Sequence, residues 1–502
     1  MARAIGHLPF PMSETRTGRI RPSALNYAAA WIAALLLALA LFGRIMSYPL
    51  RHDEQIYLPA GILFSPAGLY PDLGYNHLPN FPILLHGLLA ITGVSDSLLI
   101  GRLLIFAAWI GAAAALFLIA RRATASTAIS ASLVILLLLN PILLGPAGMI
   151  VSNNFIPIPF ALFGLHLFIV AADGESERPW LFLASGALVA IAVGLKANYV
   201  FLLPPFGVAA LMVPQALPFD LRIKRVALPL LVGGVIGGAP LIAYLATDPT
   251  GFLAHVMGYH RVPHVAYWLA NATLDGDKIM SLGGKAMLAY QLWLSGATML
   301  IPLLLLTLLC AALLGGLAQL RQLFDWKVLL AASLTVLAVA ISFIPTPAFP
   351  QYYTPPIPFA LALCALLYGR LTEGEQHSVR PFLAASILVA LLAGAPMLAP
   401  GLRDVARPQA WTGARIDAVA DRIRAQVAGA SGSGRVATLS PIFPLEAELP
   451  IEPALAAGPF VYRVADLLPP AQRAHYTRLV SPRTIGRDLA MRPPRAILVG
   501  LE

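Results

Sequence analysis

Long apolar blocks separated by short polar connectors dominate the chain from about residue 25 to about residue 400. Within the blocks the apolar residues are contiguous, and many blocks approach the length that a membrane-crossing helix requires. The pattern predicts a mainly α-helical, polytopic membrane protein with about eleven transmembrane helices. The predicted spans cover residues 25–47, 98–120, 128–144, 154–172, 180–195, 199–214, 226–246, a stretch within 286–318, 328–345, 356–369 and 382–399.

The polar segments outside these blocks predict the remaining architecture. Residues 1–24 are read as a cytoplasmic N-terminal segment, and residues 25–400 as the membrane domain. Residues 48–97 are too polar to cross a membrane as a unit, and their short apolar pieces predict interfacial helices. Residues 401–502 predict a small soluble α/β domain, with a helix over 415–427 and strands over 435–439 and 496–499.

Composition and charge support this architecture. Hydrophobic residues make up 58% of the 502 residues and charged residues only 12%, about half the charged fraction of a soluble chain. The net charge of +10 resides in connectors and in the tail, so no nucleic-acid partner is predicted. The Lys/Arg asymmetry places the N-terminus in the cytoplasm and the tail outside, which in a bacterial inner membrane is the periplasm. Cys310 and Cys364 lie inside apolar runs, which predicts neither a disulfide nor a metal site.

The segment RHDEQIY, residues 51–57, holds two adjacent carboxylates where the chain leaves its first span. Carboxylates are costly in hydrocarbon but not at its boundary. Asp53 and Glu54 can therefore line a cleft that opens to both lipid and water. The alternative is a solvated helix terminus that happens to be acidic.

Further polar and aromatic residues gather on the predicted outer side. They are Tyr57, Asp72, His77, Lys196, Tyr199, His260, Arg261, Gln351, Tyr352 and Tyr353. Interfacial aromatic belts account for the tyrosines but not for the charged residues. Lys196 ends one apolar run and precedes another, so it either meets a lipid phosphate or snorkels as a structural lysine. His52, His77, His255 and His260 have no i, i+4 pairing on a predicted helix, and no metal is predicted at them.

Several of these residues stand in an order that resembles the GT-C superfamily of membrane glycosyltransferases. The first loop carries Asp53, Glu54 and Tyr57, followed by the segments Tyr70-Pro71-Asp72 and His77-Leu78-Pro79. Gly101-Arg102, the Lys196 loop and the segment from Gln351 to Pro356 also resemble the family. Within it, the chain is similar to the bacterial branch of protein O-mannosyltransferases and lipid A sugar (aminoarabinose or galacturonic acid) transferases.

The resemblance implies an enzyme that takes a sugar from a polyprenyl-phosphate carrier, with Asp53 as the catalytic base. The acceptor would be an envelope glycolipid, a polysaccharide or a protein. Many relatives carry an acidic residue, a possible metal ligand, at the start of the fourth span, where this chain has Ser152-Asn153-Asn154. Amide side chains are poor ligands for hard cations, so a divalent metal is doubtful and no cofactor is predicted.

The chemistry of the residues points the same way. Glycosyl transfer needs a base for the acceptor hydroxyl and cationic or hydrogen-bonding groups for the leaving phosphate. Asp53 and Glu54 are the predicted catalytic residues, Lys196, Tyr352 and Arg261 suit the phosphate, and attack opposite the phosphate inverts the anomeric carbon. Three alternatives stay open: a lipid-linked-sugar flippase, a glycan ligase or polymerase of the outer face, and a non-catalytic assembly protein.

Overall fold

The computed structural model describes residues 24–174, 178–271, 280–430 and 434–500, which are mainly helical. Four described helices are long and apolar enough to cross a membrane, namely Ala28–Ser47, Ser97–Thr124, Gly296–Leu314 and Glu373–Val405. A bent pair, Phe219–Gly237 and Ala239–Thr247, is a fifth candidate. The shorter apolar helices are Asn80–Thr92, Thr127–Leu138, Pro157–Asp173, Pro179–Leu195, Ala197–Met212 and Trp326–Ser342. The helical membrane class is confirmed, and the count of about eleven spans stays a prediction.

The helices follow one another through short connectors. In chain order, the described helices before the tail are α1 (Ala24–Ser47), α2 (Glu54–Ile62), α3 (Asn80–Thr92), α4 (Ser97–Thr124), α5 (Thr127–Leu138), α6 (Pro157–Asp173), α7 (Pro179–Leu195), α8 (Leu203–Met212), α9 (Phe219–Arg222), α10 (Leu228–Gly237), α11 (Ala239–Thr247), α12 (Pro249–Leu253), α13 (Tyr259–Arg261), α14 (Pro263–Ala270), α15 (Leu282–Trp293), α16 (Leu300–Leu314), α17 (Gly316–Gln322), α18 (Trp326–Ser342), α19 (Pro356–Tyr368) and α20 (Glu373–Val405). Short 3-10 turns at Ala197–Leu202 and Pro350–Tyr353 precede α8 and α19.

Helix ends are set by local side-chain chemistry. The Asp96 carboxylate accepts a 2.7 Å hydrogen bond from the Leu99 amide and caps α4, which satisfies one of the free N–H groups of the first turn. Arg121 and Arg122 occupy its last turn, where cations complement the helix dipole. The first loop contains two short helices as predicted, α2 and α3, while their position at the membrane interface stays a prediction.

Two predicted segments differ from the observed ones. The predicted span 226–246 is broken into α10 and α11 with a bend of 65°, because Gly237 and Gly238 lie at the break and Pro240 opens the next helix. The predicted charged connector before residue 382 is helical, since Thr372 and Glu375 form a capping box that starts α20 early. The predicted boundary between membrane domain and tail, at residue 401, therefore lies inside α20.

Helix packing places α19 at the centre of the membrane part. All of its residues, Pro356 to Tyr368, are buried. At the periphery, α1 and α20 approach so closely that a Cβ at Gly43 would lie 1.9 Å from the Gly401 carbonyl oxygen. Only glycine permits that approach. The resulting bundle holds the ends of α1, α7 and α19 in fixed relation, and the site is built at those ends.

Ion pairs join the connectors predicted to be cytoplasmic. Asp173 lies 3.2 Å from Arg122 and 2.7 Å from Lys327, and Asp325 lies 2.8 Å from Arg370. These contacts join the connectors that follow α4, α6, α17 and α19. The contacts bring these connectors together at one end of the helices, as the predicted topology requires. Which side of the membrane that end faces stays a prediction.

The tail contains helices and a small parallel sheet. Its elements are α21 (Thr412–Val427), β1 (Val436–Thr438), α22 (Ile442–Glu446), α23 (Pro459–Tyr462), α24 (Pro470–Arg473), α25 (Ile485–Met491) and β2 (Ala496–Leu498). Strands β1 and β2 pair in parallel, near the two predicted strands. Buried residues of α21 and α22 belong to the same hydrophobic core as the membrane helices. Whether the tail also folds alone stays a prediction.

Candidate active site

Asp53 and Glu54 lie side by side at the start of α2, but their side chains have different surroundings. Asp53 is half-buried, whereas Glu54 is completely buried. Successive residues at a helix start project in different directions. The two predicted catalytic carboxylates therefore cannot share one position, and their contacts distinguish them.

Glu54 is held by three donors. Its carboxylate forms a 2.8 Å ion pair with Arg102 and accepts hydrogen bonds from the amides of Val151 and Arg51 at 2.9 and 3.1 Å. Arg102 also donates to the carbonyl oxygens of Ile45 and Met149. These contacts occupy the lone pairs of the Glu54 carboxylate. Directly and through Arg102, Glu54 links α2 to α1, to α4 and to the connector before α6.

Lys196 lies one residue beyond the end of α7, and its side chain is buried. Its ammonium donates to the amide oxygens of Asn154 and, at 3.4 Å, Asn153. It also lies 5.2 Å from the centroid of the Tyr352 ring, a distance at which a cation is attracted to a π face. The residues that approach Lys196 thus come from two separate connectors, the one before α6 and the one before α19.

Asn153 links this lysine to the first loop. Its amide oxygen accepts a 2.7 Å hydrogen bond from the Tyr57 hydroxyl, and its amide nitrogen donates to the Leu195 carbonyl oxygen. The Asn154 side chain acts to lower the pKa of Asp53. The two asparagines that replace the family's acidic residue therefore bind an ammonium group, and their oxygens are already occupied by a cation.

Asp53 and Lys196 influence each other's protonation. Burial raises the pKa of Asp53, and the nearby Lys196 ammonium opposes that rise. Burial lowers the pKa of Lys196 to about 8, against the opposing charge of Asp53. Each group is stabilised in its charged form mainly by its neighbours, which is common where buried ionisable groups carry function.

Histidines form one wall of the cluster. The His77 and His260 rings lie 5.2 Å apart, and the His77 ring lies 5.1 Å from Tyr57. His260 also hydrogen-bonds the Asn76 carbonyl oxygen at 2.9 Å. Burial lowers the pKa of His260 to about 4, and it lowers the pKa of His77 as well. These rings are neutral at physiological pH and present hydrogen-bonding groups without charge.

The remaining predicted residues are not all part of this cluster. Asp72 and Arg261 are exposed. Tyr353 is buried elsewhere, where its hydroxyl donates to the Lys285 carbonyl oxygen and its ring packs on Trp293. Gln351 is half-buried in the turn that carries Tyr352. Tyr199 is fully buried, and its hydroxyl has no hydrogen-bond partner among the described residues.

Two chains of known structure share this architecture. No family model matches the sequence, and no curated protein matches it. ArnT from Cupriavidus metallidurans in the apo state matches with a TM-score of 0.56 and 15% identity, over 84% of this chain and 86% of that one. ArnT from the same organism bound to undecaprenyl phosphate matches with a TM-score of 0.56 and 14% identity, over 93% and 91%.

The chain has the ArnT fold. The fold that the resemblance implies is thereby confirmed. The match includes most of the chain, so the tail is part of the shared architecture over much of its length. The roles of individual residues depend on the geometry of the site.

Some residues of the cluster were not predicted as site residues. The sequence analysis names Asn153 and Asn154 only as a departure from the pattern of the resemblance, because their burial is not visible in the sequence. Arg463 of the tail was missed, because the sequence offers many tail arginines and nothing that singles out one of them.

Proposed function

We propose that the chain is an inverting glycosyltransferase of the bacterial inner membrane that uses a polyprenyl-phosphate-linked sugar on its outer face. The observation that carries this proposal is the half-buried Asp53 carboxylate within the electrostatic influence of the buried Lys196 ammonium, at the ends of helices in an ArnT fold. A base and a phosphate-binding cation are the two groups that this reaction requires.

In the proposed reaction, Asp53 accepts the proton of an acceptor hydroxyl as that oxygen forms a bond to the anomeric carbon. The bond from the anomeric carbon to the phosphate oxygen breaks, and its electron pair remains on the phosphate. The products are the glycosylated acceptor and the polyprenyl phosphate. Because the oxygen attacks from the face opposite the phosphate, the configuration of the carbon inverts.

Lys196 is proposed to hold the donor phosphate. Its ammonium already binds amide oxygens of Asn153 and Asn154. A phosphate oxygen is a similar hydrogen-bond acceptor that also carries negative charge, so the ammonium can bind it as well. The charge on the phosphate increases as the sugar departs, and the interaction strengthens in the transition state. Tyr352 lies beside the ammonium and is placed to contact the same phosphate.

A lipid-linked donor suits the surfaces next to the cluster. An apolar cavity of about 360 Å³, lined by Trp293, Phe343 and Pro356 among others, adjoins the turn that carries Tyr352. A groove of about 830 Å³ is lined by Tyr70 of the first loop and Tyr244 of α11, among other residues. Of the two ArnT structures, one contains undecaprenyl phosphate, which supports a polyprenyl phosphate as the carrier here.

Glu54 is proposed to act by holding α2, and with it Asp53, through Arg102. Tyr57, His77 and His260 are proposed to bind the sugar, since neutral hydrogen-bonding side chains suit hydroxyl groups. The sugar and the acceptor, whether glycolipid, glycan or protein, are left to experiment.

The proposal is tested by sugar analysis of envelope glycolipids and secreted proteins from a deletion strain complemented with wild type or with Asp53→Asn. We expect one sugar modification to disappear on deletion, to return with wild type and to remain absent with Asp53→Asn. A flippase would be largely intact after Asp53→Asn, so full restoration by that variant would contradict the proposal.

A further inference from the structure

Arg463 lies in the tail directly after α23, but its side chain is held by the membrane domain. Its guanidinium lies 4.7 Å from the ring centroid of Trp268 and 5.1 Å from that of Tyr267, both on α14. The Phe460 ring of the tail lies 5.1 Å from it as well. Three aromatic faces around a guanidinium fix its position and favour its charge.

Packed rings connect this guanidinium to the Asp53 cluster, since the ring centroids of Trp268 and His264 lie 6.2 Å apart and those of His264 and His260 lie 5.7 Å apart. Its positive charge acts to lower the pKa values of Asp53 and His264. The Arg463 Nε is buried without a hydrogen-bond partner among the described residues. Arg463 also forms no ion pair with a carboxylate in the described part of the chain. A buried donor of this kind is costly unless a ligand satisfies it.

Charge balance in the cluster indicates what that ligand is. Glu54 and Arg102 neutralise each other, and burial keeps His77 and His260 uncharged. The remaining charges are one carboxylate, Asp53, and two cations, Lys196 and Arg463. One positive charge is therefore uncompensated in a partly desolvated place, where an unpaired charge is unfavourable. A ligand with one negative charge balances the cluster, and a phosphodiester carries one.

We propose that Arg463 is the second cation of the donor-phosphate site, so that the C-terminal tail completes this site from above the membrane helices. The inference rests on the proposed function and adds a substrate-binding residue to it. A guanidinium can give two parallel hydrogen bonds to phosphate oxygens, while Lys196 acts as a point charge. The tail thereby contributes directly to donor binding.

The test measures binding of undecaprenyl phosphate to the purified full-length protein in detergent. The variants are Arg463→Gln, which removes the charge, and Arg463→Lys, which keeps it. Arg487→Gln is the matched control, since Arg487 is an exposed tail arginine. Undecaprenol, which lacks the phosphate, is the control ligand, and thermal melting without ligand reports whether each variant is folded.

We expect Arg463→Gln to weaken binding of undecaprenyl phosphate roughly 10- to 100-fold, the range for hydrogen bonds to a charged group. Arg463→Lys is expected to bind with intermediate affinity because it keeps the charge and loses the fork of donors. Binding of undecaprenol is expected to be the same in all variants, and Arg487→Gln should resemble wild type. If Arg463→Gln does not fold, the intermediate affinity of Arg463→Lys carries the test.

The outcomes separate this inference from the proposed function. Wild-type affinity in Arg463→Gln, together with weak binding in Lys196→Ala, would overturn the role of Arg463 and leave the enzyme proposal intact. If Arg463→Gln lost undecaprenol binding to the same extent as undecaprenyl phosphate binding, Arg463 would support only the fold. That result also overturns the inference. No binding of undecaprenyl phosphate by wild type would contradict the proposed function itself.

Discussion

The Arg102 guanidinium lies 2.8 Å from the Glu54 carboxylate, and both side chains are buried. The two residues join α4 to the start of α2, next to Asp53. Since Arg102 also binds the carbonyl oxygens of Ile45 and Met149, it connects the end of α1 to the connector before α6. The pair therefore sets the position of Asp53 without being placed to contact substrate itself.

Removing one member of this pair is expected to destabilise the protein more than it alters the chemistry. Arg102→Ala leaves the Glu54 charge buried and unpaired, which typically costs about 3–5 kcal/mol of unfolding free energy. Thermal melting in detergent measures the effect, with Arg121→Ala at the exposed end of α4 as the control. Glu54→Gln should lower turnover less than Asp53→Asn does and should keep the pH profile. Unchanged melting of Arg102→Ala would contradict this role.

Lys196→Ala is expected to weaken donor binding and to lower kcat/KM together. The phosphate charge is present in the ground state and in the transition state, so both lose the ammonium contact. The expected loss is roughly 10- to 100-fold in affinity, as for a hydrogen bond to a charged group. Binding of undecaprenyl phosphate measures it, with Lys224→Ala in an exposed inner connector as the control. Equal affinities of wild type and Lys196→Ala would favour a structural, snorkelling lysine.

The pH dependence of kcat/KM should be bell-shaped. Activity needs ionised Asp53, whose pKa is raised by burial, so it should fall with acid at a higher pH than for an ordinary Asp. It also needs charged Lys196, whose pKa of about 8 places the alkaline fall near that pH. In the complex with donor, the bound phosphate stabilises the Lys196 ammonium. The alkaline fall of kcat should therefore lie at a higher pH than the alkaline fall of kcat/KM.

Lys196→Arg provides the control for that assignment. A guanidinium stays protonated to far above pH 8, so the alkaline fall of kcat/KM should shift upward or disappear in this variant. An alkaline limb that stays near pH 8 in Lys196→Arg would assign it to another group.

The sequence predicted the membrane class, the short helices α2 and α3 and the approach of the polar connectors to one another, because these follow from hydropathy and from local side-chain chemistry. It predicted Asp53, Lys196 and Tyr352 as site residues, and the structure brings these three together. It did not distinguish Tyr352 from Tyr353, because both are tyrosines of the same turn and only the folded turn decides which ring lies beside Lys196. Tyr353 contacts Lys285 instead.

Long-range packing explains what the sequence left undetermined. Arg463 reaches the site only because the tail packs on α13 and α14. One such contact is the 2.8 Å hydrogen bond from the Tyr259 hydroxyl to the Phe460 carbonyl oxygen. Hydropathy and motif order carry no information on such pairings.

The membrane orientation is predicted from the Lys/Arg asymmetry. Reporter fusions after Arg225 and after Glu502 should report opposite sides of the membrane, with the first inside and the second outside. The clustering of Arg122, Asp173 and Lys327 at one end agrees with this arrangement. Fusions that report the same side at both positions would refute the predicted topology.

The most direct test of the account is sugar transfer from a synthetic polyprenyl-phosphate sugar in detergent, with donor binding measured separately for wild type and Asp53→Asn. The substitution keeps the shape of the side chain and removes the proton acceptor. Turnover is predicted to fall about 100- to 10,000-fold, the contribution of a general base, while donor binding persists. Near-normal turnover in Asp53→Asn would contradict the assignment of Asp53 as the base, and Asp72 would then be the next carboxylate to replace.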